Sequence, residues 1–249
     1  MIEAVIFDLD GVLIDSEQLW DQARRDVVQA RHVDWPAGAT EAMQGMSTPE
    51  WSEYLHAMQG VDLPAGEIAV LVVEKLLALY QKALPLNPGA VASVRRIGKR
   101  WPLGLASSSD RRVIDVVIEL AGLEGQFSAI VSSEEVARGK PAGDVYLETA
   151  RRLGVPSQRA AAVEDSANGI RSALSAGTCV LGLPNPHYPP PPAVIEEVHL
   201  VLTSLDDLTV EAVMQADAKR TGRIEHRLDE QEIESFPASD PHADWAGPV

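Results

Sequence analysis

The feature that most constrains this fold is a series of short apolar segments, each followed by an acidic, hydroxyl-bearing or proline residue. A strand that is covered by helices on both faces is apolar throughout, whereas a half-exposed strand alternates between apolar and polar residues. The segments with this unbroken apolar character are 4–7, 103–106, 129–131, 160–163, 179–183 and 200–202. The pattern predicts a parallel β-sheet buried between two layers of helices.

Helical patterns separate these segments. In residues 112–120, apolar side chains recur at the spacing of one helix face, and residues 144–153 and 168–176 also read as helices. Strands that alternate with helices are typical of a doubly wound α/β domain, in which ligands bind beyond the carboxyl ends of the strands. We therefore predict a Rossmann-like core whose site lies at that edge of the sheet.

One long segment interrupts the alternation. Residues 16–85 read as helices only, which predicts a small all-helical cap domain inserted after the first strand. The core would then comprise residues 1–15 and 86–215. Residues 216–249 are expected to form an acidic, flexible C-terminal tail, because residues 228–249 contain six acidic residues and no Lys or Arg.

The charge balance limits the classes of partner. Among 249 residues, 37 Asp and Glu outweigh 21 Lys and Arg, a formal net charge of −16. Proteins that bind nucleic acid or anionic membranes need a surplus of cations, so we expect neither partner. No apolar run approaches a membrane span, and Asp8 and Asp10 interrupt the start before a targeting segment would be complete. With the single cysteine, Cys179, these features predict a cytoplasmic protein; its oligomeric state is not indicated.

The strongest local feature is the pair of acids that follows the first apolar segment. In an extended chain, residues i and i+2 point to the same side, so the carboxylates of Asp8 and Asp10 can converge. Such carboxylates repel each other unless a cation or a shared proton intervenes, and Mg²⁺ is bound by this type of ligand. A turn in which Asp and Gly only end the strand is the alternative.

Three further polar features follow other predicted strands. The serines of residues 107–109 precede a helix and could bind an anion or simply cap that helix. Lys140 precedes a proline that stiffens its loop, although it could be an ordinary surface lysine. Glu164 and Asp165 form a second acidic pair, or a helix cap. Together, these groups supply a nucleophile, an acid/base, a cation and metal ligands, which are the parts of a phosphoryl-transfer site.

These features resemble, in order, the four motifs of the haloacid dehalogenase superfamily. The motifs are DLDGVLIDSE at 8–17, ASS at 106–108, GKP at 139–141 and EDSANG at 164–169. The resemblance covers residues 1–208 and is closest to the beta-phosphoglucomutase-like phosphatases, whose helical cap is of the C1 type. It implies an α/β core with an inserted helical cap.

The resemblance also implies residue roles. Asp8 would attack phosphorus and form an aspartyl phosphate, and Asp10 would be the general acid and base. Ser107, Ser108 and Lys140 would hold the oxygens of the transferring phosphoryl group, and Lys140 would also restrain Asp8.

The implied metal is Mg²⁺. Its ligands would be the carboxylates of Asp8 and Asp165 and the backbone carbonyl of Asp10, with Glu164 in support. The metal would allow an anionic nucleophile to approach an anionic phosphate.

The expected function is hydrolysis of a small phosphorylated metabolite, including sugar phosphates. Dehalogenases of the family lack the second aspartate, so Asp10 favours phosphoester chemistry. A phosphomutase of the beta-phosphoglucomutase type is an alternative, but the places of its histidine and arginine hold Trp20 and Thr48. A catalytically silent scaffold is an alternative of a different class. Cap residues that could contact the substrate, or merely pack within the cap, are Trp20, Met43, Met46, Trp51 and Tyr54.

Overall fold

A six-stranded parallel β-sheet forms the centre of the protein. The computed structural model describes residues 1–43, 46–58, 60–186 and 189–235. The strands are β1 (Ala4–Phe7), β2 (Leu103–Ser107), β3 (Phe127–Ser132), β4 (Ala160–Glu164), β5 (Cys179–Gly182) and β6 (Leu200–Val201). Their order is β3-β2-β1-β4-β5-β6, so β1 lies at the point where the strand order reverses. Ligands bind at such points, and the first motif follows β1.

Helices flank the sheet and form the insert. They are α1 (Glu17–Gln29), α2 (Ala39–Ala42), α3 (Thr48–His56), α4 (Ala65–Lys82), α5 (Ala90–Gly98), α6 (Arg111–Leu120), α7 (Asp144–Leu153), α8 (Ala167–Ser175), α9 (Pro192–Ile195) and α10 (Val210–Ser235). Short 3₁₀ turns occur at Ser133–Glu135, Ser157–Arg159 and Leu205–Asp207. None of the described helices is long and apolar enough to cross a membrane.

The two faces of the sheet bury separate clusters of apolar side chains. On one face, α7 and α8 pack over Ile6 of β1 and its neighbours. On the other face, Val5 and Phe7 belong to the cluster covered by α5, α6 and α10. All residues of β1 are buried because helices cover both faces. The predicted fold class, a Rossmann-like parallel sheet with an inserted helical cap, is confirmed.

The insert after β1 is helical over its described residues, apart from its connecting loops. Helix α4 packs against α1 and α3, and it also contacts α6 of the core. Trp51 and Tyr80 are among the largest side chains that are fully buried. These two aromatic side chains therefore form part of the interior of the insert.

The chain enters and leaves the insert through paired segments. The backbone N–H of Asp15 donates to the carbonyl of Pro85 at 2.8 Å, and that of Asn87 donates to the carbonyl of Leu13 at 2.9 Å. These bonds lie at the crossing points expected from the sequence, near Asp15 and Pro85. The division into domains at these points stays an interpretation.

Helix α10 crosses the position at which the sequence predicts the tail to begin. Val213 and Ala216 of this helix are buried, and Arg220 forms an ion pair with Asp217 at 2.8 Å. The start of the predicted tail is thus helical as far as Ser235, whereas residues 236–249 lie outside the described residues. The flexibility of the tail stays a prediction.

Candidate active site

A cleft of about 290 Å³ opens at the carboxyl ends of the central strands. Residues that follow β1, β2 and β4 line it, together with the start of α1 and the proline segment 189–191. Of the site residues predicted from the sequence, Asp8, Asp10, Ser108, Lys140 and Asp165 line the cleft. Parallel strands thus bring together side chains that are far apart in the sequence.

Lys140 links two carboxylates on the floor of the cleft. Its Nζ lies 2.7 Å from Oδ1 of Asp8 and 2.5 Å from Oε1 of Glu164, and all three side chains are buried. Burial raises the pKa of Asp8 to about 8; Lys140 opposes this rise, whereas Glu164 and Asp10 add to it. Burial alone would lower the pKa of Lys140, but its two carboxylate partners raise it above the ordinary value. Lys140 therefore remains charged and fixes the position of Asp8.

Glu164 is held by a second donor that the sequence does not suggest. The hydroxyl of Tyr146, on α7, donates to Oε1 of Glu164 at 2.6 Å. A Cβ at Gly169 would lie 2.0 Å from Oε2 of Glu164, so only glycine leaves room for this carboxylate. The glycine of the fourth motif thus has a steric role.

Asp165 completes an acidic cluster with Asp8 and Glu164. One carboxylate oxygen from each of the three residues lies within 4.8 Å of the others. Oδ1 of Asp165 is buried and has no hydrogen-bond partner among the described residues. Burial, then Glu164 and Asp8, hold the pKa of Asp165 well above its ordinary value.

A glycine also shapes the position of Asp165. A Cβ at Gly11, whose φ is +85°, would lie 1.8 Å from Oδ2 of Asp165. The cluster combines three buried carboxylates, one lysine and an unpartnered oxygen, and hard divalent cations prefer oxygen donors of this kind. The residues therefore fit a divalent metal ion.

The side chain of Asp10 has different partners from those of the acidic cluster. Its Oδ1 accepts hydrogen bonds from Ser16 Oγ at 2.5 Å and Trp20 Nε1 at 3.0 Å. Its Oδ2 accepts from Ser109 Oγ at 2.7 Å and from Ser107 Oγ at 3.4 Å. Asp10 thus connects the cleft to the first helix of the insert.

The two predicted phosphate-binding serines occupy different environments. Ser107 is fully buried, and its Oγ accepts a hydrogen bond from the backbone N–H of Ser109 at 3.0 Å. Ser108 is half-buried and lines the cleft. The structure thus brings Ser108 to the cleft and places Ser107 beneath it, beside Asp10.

Some site residues were not assigned a role from the sequence. Glu17 is the last residue of the first motif and Ser109 follows the second, so their position in the sequence could have indicated them. Tyr146 and Arg24 lie on buried helix faces, where periodicity predicts apolar packing and nothing more. Of the five cap candidates, Trp20, Met43 and Trp51 are buried, whereas Met46 and Tyr54 are partly exposed.

The comparison with known families agrees with this geometry. The family model described as haloacid dehalogenase-like hydrolase matches residues 2–177. The chain belongs to this family. The four motifs of the family thus account for the buried lysine, the acidic cluster and the glycines that make room for it.

Individual relatives extend this result. Hexitol phosphatase B of Escherichia coli (strain K12) is 32% identical over 217 residues, which cover 86% of this chain and 97% of the relative. CbbY from Rhodobacter sphaeroides, solved in complex with phosphate, has a TM-score of 0.73 at 27% identity over 86% of this chain and 99% of its own. Beta-phosphoglucomutase from Clostridium difficile shares the fold, with a TM-score of 0.75 at 23% identity over 90% of this chain and 99% of its own. The predicted superfamily and branch are confirmed, as is the predicted enzyme class, a phosphoric monoester hydrolase.

Proposed function

We propose that the protein is a Mg²⁺-dependent phosphatase that hydrolyses a small phosphorylated carbohydrate through an aspartyl phosphate on Asp8. The observation that carries this proposal is the position of Asp8, which lines an open cleft, is paired with the buried Lys140 and belongs to a buried acidic cluster. A carboxylate held in this way is ordered for attack on a phosphorus atom.

The acidic cluster provides the ligands of the proposed metal. The carboxylates of Asp8 and Asp165 and the backbone carbonyl of Asp10 would hold Mg²⁺, and Glu164 would support them. The unpartnered Oδ1 of Asp165 favours this assignment. When bound, Mg²⁺ would reduce the repulsion between the phosphate and the carboxylates.

The chain's own residues can carry out both chemical steps. In the first, a carboxylate oxygen of Asp8 attacks phosphorus, the bond from phosphorus to the leaving oxygen breaks, and Asp10 gives its proton to that oxygen. In the second, water attacks phosphorus, the bond to Asp8 breaks, and Asp10 takes the proton of the water. The sum is an ester and water converted to an alcohol and inorganic phosphate.

The phosphoryl oxygens need donors during both steps. We assign this role to Lys140 and to the strand-end serines Ser107 and Ser108. Of the two serines, Ser108 lines the cleft, whereas Ser107 lies beneath it and orders the turn that carries Ser108 and Ser109. Loss of Ser108 should therefore weaken phosphate binding directly.

The carbohydrate part of the proposal rests on the relatives and on the cleft. The relative that is 32% identical is named a hexitol phosphatase. The net charge of −16 favours a small metabolite over nucleic acid.

The test is release of inorganic phosphate from para-nitrophenyl phosphate with and without Mg²⁺, followed by a panel of phosphorylated carbohydrates. We expect turnover only with the metal and a preference for a carbohydrate ester. Phosphorus NMR of a hexose 1-phosphate reaction should show inorganic phosphate as the product. Accumulation of the 6-phosphate isomer would instead establish a phosphomutase.

A further inference from the structure

One face of α1 begins at the cleft and carries three side chains with polar groups. Glu17, Trp20 and Arg24 are spaced i, i+3 and i+7, so they lie on the same side of the helix. Glu17 lines the cleft, and Nε1 of Trp20 donates to Asp10 at 3.0 Å. This face of the insert therefore adjoins the side of the cleft on which Asp10 would protonate the leaving group.

Arg24 is a buried cation that forms no hydrogen bond through two of its guanidinium nitrogens within the described residues. Its side chain is 5% exposed, and its guanidinium carbon lies 5.1 Å from the ring centroid of Trp20 and 5.3 Å from that of Trp51. Two indole faces stabilise the charge. Nε and Nη1 nevertheless form no hydrogen bond within the described part of the chain. Unpaired buried donors are costly, so their retention needs a reason.

Whereas Arg24 has unpaired donors, Glu17 has an unpaired acceptor among the described residues. Its Oε1 is buried and accepts no hydrogen bond from any described residue. Burial raises the pKa of Glu17, and the charge of Arg24 is the main influence that opposes this rise. The two residues lie two turns apart on the same face of α1, and each has unpartnered polar atoms, although no ion pair joins them within the described part of the chain.

We propose that Glu17 binds hydroxyl groups of a neutral, polyhydroxylated leaving group, and that Arg24 is the positioning residue that orients the Glu17 carboxylate. A carboxylate only accepts hydrogen bonds, so its ligand must bring donors, which hydroxyl groups provide. Asp10, Asp15 and Glu17 all line this part of the cleft, so a second phosphate on the substrate would be repelled. This inference rests on the proposed phosphatase function and narrows its substrate class to monophosphates of polyols or sugars.

The first experiment compares two esters that differ in hydroxyl groups. For Glu17→Ala, kcat/KM is measured with mannitol 1-phosphate and with para-nitrophenyl phosphate, which has no hydroxyl group on its leaving group. Since hydrogen bonds to charged groups are strong, we expect the ratio of the two kcat/KM values to fall about 10- to 100-fold. Glu53→Ala, the same substitution on an exposed position of α3, is the control and should leave the ratio unchanged.

The second experiment tests the role of Arg24. Arg24→Met keeps an unbranched side chain against the two indole rings and removes the charge, so the ratio of the two kcat/KM values should fall as in Glu17→Ala. In the double variant the losses should not add, because both substitutions remove one interaction. Arg24→Lys keeps the charge and should restore part of the ratio of the kcat/KM values. If Arg24→Met does not fold, Arg24→Lys takes its place in the comparison of single and double variants.

The outcomes separate this inference from the proposed function. Equal losses with both esters in Glu17→Ala would mean that the unpartnered atoms hold only water, and would overturn the inference. Additive losses in the double variant would overturn the role of Arg24, and a preference of the wild type for fructose 1,6-bisphosphate over mannitol 1-phosphate would overturn the substrate class. No hydrolysis of any ester by the wild type would instead contradict the proposed function.

Discussion

The floor of the cleft (Asp8, Lys140 and Glu164) and its cap wall (Glu17, Trp20 and Arg24 of α1) bury charged groups in opposite ways. On the floor, Lys140 contacts Asp8 at 2.7 Å and Glu164 at 2.5 Å, and Tyr146 adds a further donor. In the cap wall, the guanidinium of Arg24 lies over two indole rings. Two of its donor groups and one acceptor of Glu17 find no partner among the described residues.

This difference indicates that the floor serves the reaction itself and the cap wall serves the selection of substrates. Groups that perform the same reaction on every substrate can be fixed in advance by the protein, since preorganised charges cost no reorganisation during the reaction. Groups that select a substrate gain discrimination if their partners are supplied by the ligand, because a wrong ligand leaves them unpaired. We therefore expect substitutions on the floor to lower activity with every substrate, and substitutions in the cap wall to lower activity with particular substrates only.

The largest effect is expected for Asp8→Asn. An amide cannot form the acyl phosphate, so hydrolysis of every ester should fall to background. Steady-state phosphate release is the measurement, and Asp115→Asn, an exposed carboxylate paired with Arg111 on α6, is the control. Near-wild-type activity of Asp8→Asn would contradict the proposed mechanism.

Asp10→Asn should lower kcat by about 10²- to 10⁴-fold, the usual contribution of a general acid and base. The side chain of Asp10 is bonded to Ser16, Trp20 and Ser109, outside the acidic cluster, so Mg²⁺ affinity should change little. Calorimetric titration with Mg²⁺ checks this point. A large loss of affinity would show that the carboxylate itself is a ligand.

The sequence predicts the floor better than the cap wall, and the reason is geometric. Asp8, Asp10 and Asp165 follow strands, and the carboxyl ends of parallel strands necessarily meet at one edge of the sheet. A motif at each strand end thus predicts a shared site without any knowledge of side-chain packing. The same argument predicts the sheet and the two layers of helices from the apolar segments.

The cap wall cannot be predicted in this way. The spacing of Glu17 and Arg24 on one helix face is visible in the sequence, but the packing of α1 against α4 and the two indole rings that cover the guanidinium are not. Side-chain periodicity gives the buried face of a helix but not the hydrogen bonds made within it. Tyr146 illustrates the same limit on the floor, because a buried tyrosine on α7 is indistinguishable from core packing until its hydroxyl is seen at Glu164.

Asp165→Ala tests whether Asp165 is a ligand of the proposed metal. The variant loses one carboxylate ligand, and supporting groups around metal sites alone are typically worth 10- to 100-fold in affinity, so the Mg²⁺ dependence of activity should shift by at least about tenfold. The measurement is kcat/KM against Mg²⁺ concentration. Asp144→Ala is the control, because Asp144 is the first residue of α7 and pairs with Arg138 rather than with the acidic cluster. An unchanged titration would reassign Asp165 to ordering the start of α8.

The smallest effect is expected for Asp110, which lies next to the strand-end serines but forms its hydrogen bonds with Arg112 and not with the site. Asp110 caps α6, and its Oδ1 accepts a hydrogen bond from the backbone N–H of Arg112 at 2.8 Å. Asp110→Ala should lower the free energy of unfolding by about 1 kcal/mol, the usual value of an N-cap, as measured by urea denaturation. Asp110→Asn keeps an acceptor and should lose less.

The effect of Asp110→Ala should also depend on pH. Burial alone would raise the pKa of Asp110, but the side-chain and backbone hydrogen bonds from Arg112 outweigh it and hold the pKa below its ordinary value. A carboxyl with a lower pKa in the folded state stabilises the fold above its unfolded pKa, about 3.9, and loses this contribution as the pH falls through the folded value. The difference between wild type and Asp110→Ala should therefore be full at pH 7 and shrink below about pH 4. A difference that persists at acidic pH would show that the cap acts through packing rather than charge.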